Sequence, residues 1–280
     1  MYKKILAAVN EHLNSEVSAR YAMHLARGCS AKFYLCFIAE KGLSPASFEG
    51  AEKAMKRLFL KAEDLDVRAE SITETGDPVK EISRIARQED IDLVFASTRR
   101  EDVEKRFYAG TVARSLSLSL RCSVALVRVV HMGRVRPQNI LVPLKARTGS
   151  TRERAYFIAK MARSFGSRVI VFHAVKPVRK FFEGEIHLTP AELEKKLPAD
   201  VSGFMEHLRR LDIEYEGKLF PGETARSITI EAFAKRHDLI IMGASERSLL
   251  SSLLKGNPVE DVLRETPCDL IILKPGHENK

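Results

Sequence analysis

The chain has no tryptophan among its 280 residues and only four cysteines, and no two of those cysteines are spaced to form a CxxC pair. Cys29, Cys36, Cys122 and Cys268 match no metal-ligand spacing, and the eight histidines form no HxxxH pair. A zinc module and a disulfide scaffold are therefore excluded, and the thiols are expected to be small core residues. Long apolar runs are missing too: "DLIIMGA" and "SVALVRVV" are strand-sized, far below the roughly 20 residues of a membrane helix. No membrane partner is expected. The opening "MYKKILAAVNEH" turns polar too early for a secretory h-region, so a cytoplasmic protein is expected. Asn and Gln together number seven, while Glu, Lys and Arg are abundant, a habit of heat-adapted proteins.

Positive charge is in excess but not concentrated. Up to residue 133 the balance is 21 minus 18, or +3, and beyond it 25 minus 19, or +6. The densest basic stretch, Arg99, Arg100, Lys105 and Arg106, is interrupted by Glu101, Asp102 and Glu104, which argues against a nucleic-acid stripe. With 45% hydrophobic and 30% charged residues, the composition is that of a globular protein.

What is present is a repeat. "KKILAAVNEHLNSEVSARYAMHLARGCSAKFYLCFIAE" is echoed by "QNILVPLKARTGSTRERAYFIAKMARSFGSRVIVFHAV", with Leu6 answering Leu141 and Arg27 answering Arg163. Farther on, Gly76 answers Gly222, Asp92 answers Asp238 and Cys122 answers Cys268, at a constant spacing of 146. The second copy carries about ten extra residues, assigned to a segment around 176–198 that holds Phe181 and Phe182 and suits either a surface loop or a docking patch.

Strands are expected near 4–9, 32–39, 67–74, 92–97 and 123–129, with helices near 15–28, 45–64, 78–89 and 109–119. Asp77 can cap a helix that has Pro78 in its first turn, and Thr189-Pro190-Ala191-Glu192 reads as a capping box. Pro198 is expected to break or kink the helix that follows this box. Continuous apolar strands alternating with amphipathic helices predict α/β architecture: two tandem doubly wound domains, each with a five-stranded parallel sheet. The boundaries fall at 1–130 and 138–280, around a linker at 131–137 within the polar "HMGRVRPQN". The apolar last strand of each copy would expose a sheet edge, so the two copies are expected to pack as an intramolecular pseudo-dimer. A homodimer of the whole chain stays open.

These residues resemble the universal stress protein family. The resemblance rests on "YKKILAAV", on "TGDPVKEISRIA", and on a G-x2-G-x9-G-[ST] spacing followed by a helix and a Cys-led last strand. Copy two reads Gly243, Glu246, Gly256, Asn257 at the signature positions, and copy one Ser97, Arg100, Gly110, Thr111. Spacing is kept; identities are not. The resemblance implies a loop that holds ATP phosphates on backbone N–H groups at a helix N-terminus. It also implies an acid at the end of the first strand, which falls here on Asn10 and Lys145, and an adenine contact at the end of the second, which falls on Ile38 and Ala174. Neither copy keeps the acid.

No GxSxG elbow, Walker lysine or HExxH is present, and His173, alone at a strand end, reads as a packed side chain. The reading is a non-enzymatic stress-response protein whose degenerate sites could take ATP or AMP. A weak ATP hydrolase and a protein-binding scaffold without nucleotide are the alternatives. Arg100 and Thr111 favour copy one as the better phosphate site, because Glu246 would oppose phosphate in copy two.

Overall fold

A computed structural model describes residues 1–98, 111–133, 135–175, 197–221, 224–244 and 258–276. Ten strands form one sheet: β1 (Lys4–Val9), β2 (Lys32–Ala39), β3 (Ala69–Thr75), β4 (Leu93–Thr98), β5 (Ser123–Arg128), β6 (Asn139–Leu144), β7 (Arg168–Val175), β8 (Tyr215–Pro221), β9 (Leu239–Gly243) and β10 (Asp269–Lys274). Their order is β3-β2-β1-β4-β5-β10-β9-β6-β7-β8. Within each half all pairings are parallel, and the halves meet where β5 and β10 pair antiparallel, Leu126 opposite Ile272. This is the expected tandem of two five-stranded parallel sheets.

The helices between the strands are α1 (Leu13–Cys29), α2 (Pro45–Asp64), α3 (Pro78–Gln88), α4 (Val112–Ser119), α5 (Thr151–Phe165), α6 (Ala199–Arg210), α7 (Thr224–Ala234) and α8 (Pro258–Glu265). Local chemistry sets their ends. Asp77 caps α3 by accepting from the Lys80 N–H at 2.8 Å, and Thr111 caps α4 by accepting from the Arg114 N–H at 3.2 Å. The C-caps of α1 and α5 are Ser30 and Gly166, both left-handed, at φ 51° and 66° and at equivalent places in the two copies. Pro198 is the N-cap of α6, whose first residue is Ala199; the helix it is expected to break or kink, the one following the capping box, lies outside the described residues. The proposed capping box at 189–192 and both Phe181 and Phe182 lie outside the described residues.

The repeat also appears in the ties between strands. Asp92, just before β4, accepts from the Lys3 and Lys4 N–H groups at 2.6 and 2.9 Å, and its counterpart Asp238 accepts from Gln138 and Asn139 at 2.8 and 2.9 Å. Each carboxylate thus satisfies the free amides that open the first strand of its own half.

Two apolar clusters cover the two faces of the sheet, and each draws residues from both copies. On one face α1 crosses α5. Gly28 lies at that crossing opposite its own repeat equivalent, Ser164, and a Cβ on Gly28 would come within 2.4 Å of the Ser164 hydroxyl oxygen. The absence of a side chain at 28 lets the two helices approach. Polar bonds seal the same seam: Tyr21 donates to Asp269 at 2.8 Å, Tyr2 donates to Glu153 at 2.8 Å, and Lys160 donates to the Gly28 carbonyl at 2.8 Å.

Candidate functional site

An open parallel sheet has a crevice where the strand order reverses, because the connections on either side leave in opposite directions. Here that point falls between β1 and β4 in copy one and between β6 and β9 in copy two. The strand-end residues singled out from sequence gather at these two places. Those of the glycine loops do not enter the comparison, because Arg100, Gly110, Glu246, Gly256 and Asn257 lie outside the described residues.

In copy one Asn10 follows β1 and is engaged locally. Its N–H donates to Ser15 Oγ at 3.0 Å, and its Oδ1 accepts from the His12 N–H at 3.0 Å. Asn14 reaches across the crevice and donates through Nδ2 to the Thr98 carbonyl at 3.4 Å. Ser97 is half-buried in β4, Ile38 is buried in β2, and the hydroxyl of Thr111 is occupied as the α4 cap. Asn10, Ile38, Ser97 and Thr111 carry no charge. The copy-one crevice is neutral at these positions.

Copy two is different, and the difference lies in a residue that no sequence pattern singled out. Arg154, in the first turn of α5, lays its guanidinium over Gly243 at the end of β9. A Cβ at 243 would stand 1.4 Å from Nη1 and 2.1 Å from Cζ, so the glycine provides the space that the arginine fills. Nη2 donates to the Ala244 carbonyl at 3.2 Å, and Nε is buried without a hydrogen-bond partner among the described residues. Thr98 and Ala244 are repeat equivalents, so in both copies a side chain from the first helix binds the same carbonyl. The neighbouring acid, Glu153, is spent elsewhere, accepting from Tyr2 and from the Ser123 hydroxyl of copy one.

Lys145, which replaces the expected acid after β6, faces the same crevice. Desolvation, opposed in part by Glu153, draws the Arg154 guanidinium down to about 10. Desolvation and the charge of Arg154 hold the Lys145 amine below its ordinary value, although Lys145 keeps a solvent-exposed face. Both shifts have the sign of cations drawn away from water. His173 is buried and packed, its Nδ1 3.0 Å from the Leu144 carbonyl, while the backbone of Ala174 continues β7 beside β8. Among the described residues no group of three or more His, Cys, Asp or Glu side chains could hold a metal ion.

The fold and its paired switch points define a tandem doubly wound α/β protein with one crevice per half. The sequence signature of the Universal stress protein family matches residues 1–128 and again 137–274, and the chain belongs to that family. A universal stress protein from Archaeoglobus fulgidus DSM 4304 shares the architecture at 18% identity and TM-score 0.67, the alignment covering 99% of this chain and 97% of the other. A functionally unknown protein from Pseudomonas aeruginosa PAO1 aligns at 16% identity and TM-score 0.64 over 98% and 93% of the two chains. The cytoplasmic domain of a prokaryotic cation chloride cotransporter aligns at 13% identity and TM-score 0.58 over 98% and 96%. At these identities the likeness is one of fold. No curated protein sequence matches the chain significantly.

Proposed function

We propose that the chain is a non-enzymatic stress-response protein that binds an adenine nucleotide through its phosphates in the copy-two crevice, with Arg154 as the principal counter-charge. The observation that carries this reading is the Arg154 guanidinium over Gly243, a desolvated cation without a paired carboxylate among the described residues and with a second cation, Lys145, near it. An unpaired charge away from water is costly, and an anion offsets that cost. Arg presents several donors in a fixed fork suited to phosphate oxygens. This ranking reverses the order of the copies expected from Arg100 and Thr111, because the Arg154 contact could not be read from the loop signature.

The same reading takes residues 1–130 and 138–280 as two units of an intramolecular pseudo-dimer working in the cytoplasm. The β5–β10 pairing and the shared apolar clusters support the pseudo-dimer. Calorimetric titration with ATP and with AMP tests the site. Arg154→Ala is expected to weaken binding by roughly tenfold or more, Gly243→Ala to do the same by displacing the guanidinium, and Gly110→Asp in copy one to leave it unchanged. Loss of binding only in Gly110→Asp would restore the original order. Phosphate release above the uncatalysed rate in purified protein, abolished by either copy's variant, would overturn the non-enzymatic assignment.

A further inference from the structure

A second cleft lies along the seam between the copies and away from both switch points. It has a volume of about 470 Å³, within the range of small-molecule sites. Its walls come from α1 and α2 of copy one, from the connection at residues 135–136, and from the end of α5 in copy two. No strand-end residue of either crevice takes part.

The lining combines two chemistries. Arg20, Arg57, Lys61 and Arg136 bring four positive charges against one acid, Glu16. Glu16 is buried and already paired with Arg57, whose Nη2 lies 2.5 Å from Oε1. Among the described residues Arg20 has only a 3.4 Å bond to the Gly133 carbonyl, and Lys61 an exposed 3.3 Å pair with Asp64. The rim is therefore positive and weakly satisfied. The floor is apolar, built on Met23, Leu58, Val135 and Phe165.

His24, also in the lining, packs against Phe165 at a tilt of 43°, with ring centroids 4.4 Å apart. Its Nδ1 and the hydroxyl of Ser164 are both buried without hydrogen-bond partners. Burial, then the charges of Arg27 and Lys61, hold His24 below its ordinary value, so the ring adds to the apolar floor at neutral pH. Two unmet polar groups at one seam are unusual in a closed interface, where each is expected to find a partner.

We propose that this cleft binds a small organic anion, an acidic head on an apolar body, with the head held between Arg20 and Arg136 and the body laid on Phe165 and Met23. Such a ligand touches both copies at once, so its binding stabilises their junction, and by mass action the stabilisation grows with ligand concentration. A compact inorganic anion would use the rim and leave the floor wet. An uncharged hydrocarbon would use the floor and leave the rim unpaired.

The test uses the full chain and the fluorescent probe anilinonaphthalene sulfonate, an aromatic anion whose emission rises in apolar surroundings. Saturable binding of one probe per chain is expected, with displacement by decanoate and not by ATP or inorganic phosphate. The double variant Arg20→Glu/Arg136→Glu is expected to weaken probe binding by roughly tenfold or more. A control of equal charge change on exposed sites elsewhere, Lys41→Glu/Lys235→Glu, is expected to leave it within about twofold. Equal loss in both double variants would reduce the effect to net charge and overturn the site. Displacement by ATP would place the probe in a nucleotide crevice, and displacement by phosphate alone would remove the apolar part; either result overturns the proposal. Since the nucleotide titration reads Arg154 and this one reads Arg20 and Arg136, failure of one leaves the other standing.

Discussion

Asp269 offers the sharpest test of how the two copies hold together. It opens β10 in copy two and is buried, yet three donors converge on it: the Tyr21 hydroxyl of α1 at 2.8 Å, and the Val130 and His131 N–H groups beyond β5 at 2.8 and 3.0 Å. Burial and the nearby charge of Asp269 push the Tyr21 hydroxyl well above its ordinary value, so it remains a donor at every working pH. Asp269→Ala strands all three. A buried donor without an acceptor costs about 1–3 kcal/mol, and the two amides sit where water can partly reach, so a total loss of about 3–5 kcal/mol is expected. Tyr21→Phe removes one donor and leaves the carboxylate two amides, for about 1–2 kcal/mol. Asp269→Asn keeps the shape and one acceptor oxygen for the amides while its NH2 turns to the Tyr21 oxygen, and should fall nearest wild type. The assay is urea unfolding followed by far-ultraviolet circular dichroism, a probe common to all variants. If Asp269→Ala cost no more than Tyr21→Phe, the carboxylate would not be the hub inferred here.

Three further expectations follow from contacts described above. Gly28→Ala should be destabilising because its Cβ meets Ser164, and adding Ser164→Ala should recover most of the loss; equal stability of the single and double variants in urea would refute that account of the crossing. Burial pushes Cys36 and Cys268 up to about 12 and Cys122 up to about 11, so at pH 8 native iodoacetamide labelling, read by intact mass, should reach half-buried Cys29 first. These raised values add stability that is fully present below the ordinary thiol value of 9.0 and is lost as pH climbs toward 12, so melting temperature should decline over that alkaline window.

Much of this architecture could be read directly from the residues. Strands at Lys4–Val9, Lys32–Ala39 and Leu93–Thr98 lie where continuous apolar runs placed them, because a strand covered on both faces needs no polar alternation. The start of α3 followed from Asp77 and Pro78, whose effects are confined to one turn. Boundaries drifted where the signal was weak, as in β3, which begins at Ala69, two residues after the expected start, because its mostly exposed edge gives little apolar contrast. Arg154 was invisible for another reason. In "TRERAYFIAK" it occupies a polar position like any solvated arginine, and only the fold brings it to Gly243, some ninety residues away in the chain. The seam cleft was hidden likewise, since Arg20 and Arg136 become neighbours only after two helices and a connection have packed.

The antiparallel pairing of β5 with β10 also decides what this molecule gives up. In a protein whose halves were separate chains, that contact would come and go with concentration, and a cell could tune it by making more or less protein. Joined by a short connection, the two strands meet at an effective concentration on the order of millimolar, whatever the amount of protein present. Dilution then cannot part them. The two outermost strands, β3 and β8, carry Glu70, Glu74, Glu216 and Lys218, with Pro221 ending β8, which discourages the sheet from growing further. Abundance is thereby removed as a control of how the two halves assemble.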